Sequence, residues 1–290
     1  MFREFFRKIM AIISTFSPTL TSKIYYEVKL KKKLDLKNPK TFNEKLMWLK
    51  LNEYENNKLI TQCADKYNVR KYVEECGCKE ILNELIGVYD NVEEIDFNKL
   101  PNKFVLKCNH AAGYNIICQD KSKLDINKTR KKLKKWLKSD YWKYVAELQY
   151  KNIEKKVICE KFLDSKDGNA IEDYKIYCFN GEPLFCMVCI GRNLGKPQYY
   201  FMDKQWKLMR INPAGISAPC EFKIDKPNCI DEMYMYAKKL SKPFKFVRVD
   251  FYDYNGKTVF GELTYTPAGC IDENYNDSVQ EELGKKIQIT

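Results

Sequence analysis

Apolar residues recur at every second position through Val247, Val249 and Phe251, which places Arg248, Asp250 and Tyr252 on the opposite face of a half-buried strand. Asn255-Gly256 follows as a strong turn signal. The alternation then resumes, with Val259 and Leu263 apolar and Glu262 and Thr264 polar. A two-residue loop at Asn255-Gly256 would set Glu262 opposite Val249 and bury a carboxylate among valines, whereas a three-residue loop shifts the parity by one. The pattern therefore predicts an odd-length loop, with Arg248, Asp250, Glu262 and Thr264 sharing one open face.

Helical spacing governs the N-terminal part. Phe2, Phe5, Phe6, Ile9, Met10, Ile13 and Phe16 fit one helical face, with Arg3, Arg7 and Lys8 around it, and Ser17-Pro18 breaks the run. Thr41 ahead of Phe42-Asn43-Glu44 is a capping-box arrangement. Residues 61–75 read as one helix. Residues 104–108, FVLKC, read as a strand entering a small-residue turn, NHAAGYN, and residues 125–150 read as helical. VICEKFL (157–163) is a strand, and EDYKIYCFNGEPLFCMVCIGR is a hairpin around Asn180-Gly181 that ends at Arg192. QYYFMDKQWKLMR is a strand pair and residues 230–242 are a helix ending before Pro243. There is no internal repeat or long linker. Helices interspersed with antiparallel hairpins predict an α+β fold.

Composition narrows the function. The 290 residues are 44% hydrophobic and 31% charged, which excludes a disordered chain. Lys and Arg number 51 against 39 Asp and Glu, a net charge of +12 that favours an anionic partner. Twelve cysteines without a secretory signature predict reduced thiols in the cytoplasm. Cys76, Cys78, Cys186 and Cys189 do not make a zinc site: there is one histidine and no second CxxC, and the odd spacing of Cys186 and Cys189 in a strand points their thiols apart. The single histidine, His110, also counts against hydrolases that need a histidine base. No stretch of eighteen apolar residues is present, so no transmembrane helix is expected. The N-terminal helix has two readings, packing on the protein's own core or peripheral contact with the inner face of a membrane through residues 2–16.

Taken alone, the carboxylates of the 247–264 hairpin form either a cross-strand salt bridge with Arg248 or a seat for a hard cation such as Mg²⁺. Lys107 ends a strand just before a loop in which Gly113 would let a phosphate approach the backbone, although no Walker A motif is present. Arg130–Lys138 holds six basic residues in nine, as a solvated face, a hold for a polyanionic acceptor or a contact for anionic lipid.

In order, ADKYNVRKYV, KFVLKCNHAAGYN, VICEKFL, EDYKIYCFNGEP and RVDFY…GELTYTPAG resemble the ATP-grasp superfamily, over roughly residues 35–270. With NPKTFNEKLMWLKL included, the chain resembles the teichuronopeptide-biosynthesis-like branch, found among bacterial cell-surface polysaccharide genes. The resemblance implies an ATP-grasp fold in which two lobes clamp ATP: a helical segment 1–60, a first lobe 61–158 and a second lobe 159–290. Lys66 and Lys107 would reach the phosphates, and the loop 109–115, with Asn109, His110 and Gly113, would close over them. Glu160, Lys161 and Leu163 would form the hinge that meets adenine, Asp173 would hold the ribose, and Lys175 would reach phosphate or substrate. Asp250 and Glu262 would carry Mg²⁺, and Arg248 would steady the phosphoryl group or the tetrahedral intermediate. Two departures stand out. Thr264 occupies a position that is often asparagine, and residues 1–60 are shorter and more helical than the α/β domain many relatives carry there.

The implied activity is ATP-dependent carboxylate–amine ligation through an acyl phosphate, on a uronic acid of a cell-surface glycan, with an amino acid or amino compound as donor. The rivals are a phosphotransferase, a non-catalytic nucleotide- or polyanion-binding protein, and a nucleic-acid binder. The last leaves the carboxylate face unexplained, and no nucleic-acid partner is expected.

Overall fold

The computed structural model describes residues 2–164, 171–191 and 197–289, with Phe2 and Arg3 described as backbone only; Arg192 lies outside the described residues. Five helices come first: α1 (Phe2–Phe16), α2 (Pro18–Leu30), α3 (Phe42–Asn52), α4 (Lys58–Ala64) and α5 (Val69–Glu75). Ser17 caps α2 by accepting from the Leu20 amide, with Pro18 opening the helix. Thr41 and Glu44 form the expected reciprocal box at the start of α3. The single helix expected over 61–75 is two. Asp65 accepts from the amides of Tyr67 and Asn68, at 2.8 and 3.2 Å, and this local competition turns the backbone out of the helix. Lys66 sits on that turn.

A four-stranded antiparallel sheet follows, built from β1 (Leu85–Tyr89), β2 (Phe104–Cys108), β3 (Asn115–Cys118) and β4 (Val157–Lys161) in the order β1-β4-β2-β3. α6 (Ile126–Leu137) buries Leu133 in a small core with Phe97, Phe104, Leu106, Val157 and Cys159. The helix expected over 125–150 stops at Leu137; residues 141–144 and 148–150 are single 3₁₀ turns separated by Ala146 at φ 53°. The lobe boundary expected at 158/159 falls inside β4.

The second sheet has six antiparallel strands in the order β10-β9-β5-β6-β7-β8: β5 (Asp173–Phe179), β6 (Glu182–Ile190), β7 (Gln198–Met202), β8 (Leu208–Met209), β9 (Phe246–Tyr254) and β10 (Lys257–Thr264). α7 (Pro213–Ser217), α8 (Ile230–Ser241) and α9 (Asp277–Lys285) complete the α-helices among the described residues. The larger core joins Ile176, Val247, Val249 and Phe251 of this sheet to Met233 and Leu240 of α8. Phe42 of α3 packs on Phe179 and Phe246, so the helical N-terminal part shares its core with the second sheet rather than standing apart.

The β9–β10 hairpin corrects one expectation. Its loop is the two-residue one: Tyr254 faces Lys257, and Asn255 and Gly256 both take left-handed backbone, at φ 57° and 78°. The parity shift comes further along. Phe260 faces Phe251, but Glu262 faces Asp250, so Gly261 is the extra residue of a β-bulge. A Cβ at position 261 would lie 2.9 Å from the Asp250 carbonyl oxygen and 3.1 Å from the Tyr252 ring. Two carboxylates thus reach one face by a bulge instead of by loop length.

Candidate functional site

Strand pairing assembles the floor of the site. β5, β9 and β10 set Lys175, Asp250 and Glu262 in one row across the sheet, and Tyr177, Arg248 and Thr264 in the next. Arg248 and Asp250 are two apart on β9 and share a face. The guanidinium forks onto the carboxylate, with Nε to Oδ1 and Nη2 to Oδ2 both 2.7 Å. Lys175 Nζ donates to Asp250 Oδ2 at 2.6 Å and lies 3.4 Å from Asp173. Asp250 is buried and held by two cations.

Glu262 is placed differently. Its side chain is 41% exposed onto the cavity, and its nearest cations, Lys66 Nζ and Arg248 Nη2, each stand 3.9 Å away. The Thr264 hydroxyl accepts from Arg248 at 3.2 Å and donates to Glu262 at 3.0 Å. Burial pushes the Glu262 carboxyl up, but the Lys66, Lys175 and Arg248 charges outweigh it and hold its pKa at about 2. Burial pushes the Lys66 ammonium down, against the pull of Glu262.

The roof comes from the first sheet. Lys107 on β2 donates to Glu160 on β4 at 2.5 Å, and Arg70 stands 3.9 Å from the same carboxylate. Lys66 Nζ donates to the Ala111 carbonyl at 2.8 Å, tying the α4–α5 turn to the β2–β3 loop. In that loop Gly113 takes φ 71°, and Tyr114 stacks on Trp136 of α6 with centroids 4.8 Å apart and planes 10° from parallel. A partly open cavity of about 580 Å³ lies between floor and roof.

Eight of the residues singled out from the sequence line this cavity: Lys66, Lys107, Gly113, Asp173, Lys175, Arg248, Asp250 and Glu262. Five do not. Asn109 is buried, with its amide bonded to Asp65 and Glu154 and its oxygen to the Lys156 amide. His110 is buried edge-on to Tyr114, and burial pushes its pKa down to about 4. Glu160 sits behind Lys107 as its partner. Lys161 bonds the Glu84 carbonyl through its amide and Asn83 through its carbonyl, and Leu163 is half-buried beyond it.

Tyr199, Phe201, Asn212, Asp272 and Asn274 also line the cavity and were not among the residues singled out from the sequence. Asn212 caps α7 through its side-chain oxygen and donates to the Tyr199 carbonyl at 2.8 Å. Asn43 of α3 exchanges hydrogen bonds with the Asp272 backbone, at 3.0 and 3.2 Å. The Asn-Pro pair at 212–213 is a local start signal that could have marked that end of α7. Asp272 and Asn274 lie in a loop with no periodic pattern.

A family model described as TupA-like ATPgrasp matches residues 44–288. No curated protein matches the chain. Among solved structures it is similar to a D-alanine–D-alanine ligase from Bacillus anthracis, at 18% identity and TM-score 0.43, over 70% of this chain and 57% of that one. It is also similar to the D-alanine–D-alanine ligase from Helicobacter pylori, at 12% identity and TM-score 0.44, over 85% and 69% of the two chains. An L-amino acid ligase from Bacillus licheniformis matches at 11% identity and TM-score 0.45, over 77% and 48%. The match thus spans less than two thirds of the Bacillus anthracis enzyme.

Proposed function

The chain belongs to the TupA-like ATP-grasp family, and from that premise we propose that it is an ATP-dependent carboxylate–amine ligase. The observation that carries the reading is the row Lys175, Asp250 and Glu262 facing Lys66 and Lys107 across one cavity. ATP would lie between the sheets. Lys66 and Lys107 take its phosphates, the β2–β3 loop with Gly113 covers them, and Asp173 holds the ribose. Adenine rests on the connector around Lys161 and Leu163, with Glu160 holding Lys107 in place. Asn109 and His110, both buried, shape the loop rather than touch the nucleotide.

Glu262 suits a hard cation, since its oxygens open onto the cavity across the ladder from Asp250, whereas both Asp250 oxygens are taken by Arg248 and Lys175 and one would have to be released to join it. Mg²⁺ would be held by Glu262 and Asp250 with the ATP phosphates, and it would supply neutralisation of phosphate charge. In the proposed reaction a substrate carboxylate oxygen attacks the γ-phosphorus and ADP departs, leaving an acyl phosphate. An amine then attacks the acyl carbon, inorganic phosphate leaves, and an amide remains. Arg248 faces the developing negative charge, and positioning with charge neutralisation replaces any protein nucleophile.

The substrate class we assign is a uronic acid of a bacterial cell-surface polysaccharide, coupled to an amino acid or amino compound. The family resemblance and the net charge of +12 support an acidic acceptor. Calorimetry of ATP binding with Mg²⁺ tests the site, using wild type and Asp250→Asn/Glu262→Gln. The double variant is expected to lose the metal-dependent part, and so is Glu262→Gln alone, which leaves Asp250 with its cations. Wild type that binds no nucleotide at any Mg²⁺ concentration overturns the proposal. ADP release with uronate and amine, followed by mass analysis, then tests the reaction: ADP with a phosphorylated product and no amide indicates a phosphotransferase.

A further inference from the structure

Phe5, Ile9, Ile12 and Phe16 follow one another at helical spacing along α1, and all four are exposed, Ile12 and Phe16 to 63% and 85%. The other side of α1 is engaged. Met10 and Ser14 are buried, Phe6 meets Tyr25 of α2 edge-on at 5.6 Å, and the Arg7 guanidinium lies 3.8 Å over the Tyr144 ring. The helix is therefore anchored by one face, and its apolar stripe cannot turn inward. Leu20 of α2 is exposed as well. An apolar stripe of this kind marks a docking surface.

Charge selects the occupant. Residues 1–40 carry ten Lys and Arg against three Asp and Glu, and the excess remains positive after Lys29 and Lys32 pair with Glu273 and Asp277 and Arg7 packs on Tyr144. A second copy of the chain would bring two such segments together and repel. An acidic glycan would answer the charge but leave the apolar stripe in water. A bilayer with anionic headgroups answers both. Among the described residues no helix is long and apolar enough to cross a membrane. We propose that α1 lies in the interface of an anionic membrane, with Phe5, Ile9, Ile12 and Phe16 inserted and Lys8, which flanks the stripe at helical spacing, near the headgroups. No residue of α1 or α2 lines the central cavity, so docking leaves the cavity free, and the inference stands apart from the proposed reaction.

Co-sedimentation of the full chain tests it, with vesicles of phosphatidylcholine alone and of phosphatidylcholine mixed with phosphatidylglycerol. Wild type is expected to sediment with the mixed vesicles and to stay in solution with phosphatidylcholine alone. Phe5→Ser/Ile12→Ser/Phe16→Ser is expected to lower the partition coefficient roughly tenfold or more. The variant's thermal midpoint and sedimentation velocity are followed alongside, to show that it remains folded. Three outcomes overturn the proposal. One is no sedimentation of wild type with either vesicle. The second is equal, salt-released sedimentation of wild type and variant, which makes the contact a charge effect without insertion. The third is a wild-type dimer that the variant abolishes, which makes the stripe an interface between copies.

Discussion

Glu262 stands directly across the ladder from Asp250, and Gly261 is the extra residue that puts it there. With the Asp250 carbonyl 2.9 Å from any Cβ at that position, alanine has no room unless β10 shifts. Gly261→Ala is expected to lower stability by roughly 1–3 kcal/mol and to weaken Mg²⁺-dependent nucleotide binding. Urea unfolding and calorimetry check both. A variant with wild-type midpoint and wild-type binding shows that the bulge does not control the site.

Asp250 and Glu262 should separate when they are neutralised singly. Asp250→Asn leaves Arg248 and Lys175 facing a neutral amide in a buried setting, with an expected cost of roughly 3–5 kcal/mol. Glu262 is 41% exposed to the cavity, where solvent screens the charges that lower its carboxyl, and its cations stand 3.9 Å off, so Glu262→Gln should cost only about 1 kcal/mol or less. Chemical denaturation of the two single variants gives the comparison. Equal losses would show that Asp250 is no more structural than Glu262.

The sole histidine gives a clean test of pH dependence. The folded imidazole is held down at about 4 by burial, below its ordinary 6.5. Between those values the unfolded chain takes up a proton that the folded chain refuses. The contribution is therefore fully present above pH 6.5 and is lost as pH falls toward 4, by roughly 3 kcal/mol over the whole window. Unfolding free energies of wild type and His110→Phe at pH 7 and pH 4.5 isolate it, because the carboxylates are common to both. The wild type should show the steeper fall; parallel profiles would contradict a buried neutral imidazole.

Trp136 is the outer support of the β2–β3 loop, since its ring lies flat against Tyr114. Trp136→Ala is expected to cost about 1–3 kcal/mol and to raise the ATP dissociation constant a few-fold through a looser loop. Thermal melts with and without nucleotide measure the two effects. An unchanged ATP-induced shift would confine Trp136 to packing.

Much of the site was legible because short-range rules place it. Alternation put Arg248 and Asp250 on one face, and the same two-residue spacing sets Asp173 and Lys175 on one face of β5, which the structure turns to the cavity. The capping box at Thr41 and the turns at Asn180-Gly181 and Asn255-Gly256 are also local events, and each appears in the structure. β1, β3 and α9 were not read, because four- and five-residue strands and a polar nine-residue helix carry too little periodicity. Asp65 broke an expected helix through two side-chain bonds that a hydropathy pattern does not register.

By itself, then, the sequence determined which side chains share a strand face, where helices begin and which turns reverse the chain, since those depend on neighbours within a few residues. Only the tertiary structure decided that Lys66 faces Glu262, that Lys107 leans on Glu160, and that Asn109 and His110 turn inward. Such pairs lie across separate elements, and the closure of long loops and the burial of two cores fix them. The bulge at Gly261 belongs to both: the glycine is visible in the sequence, but the strand packed against it makes it necessary.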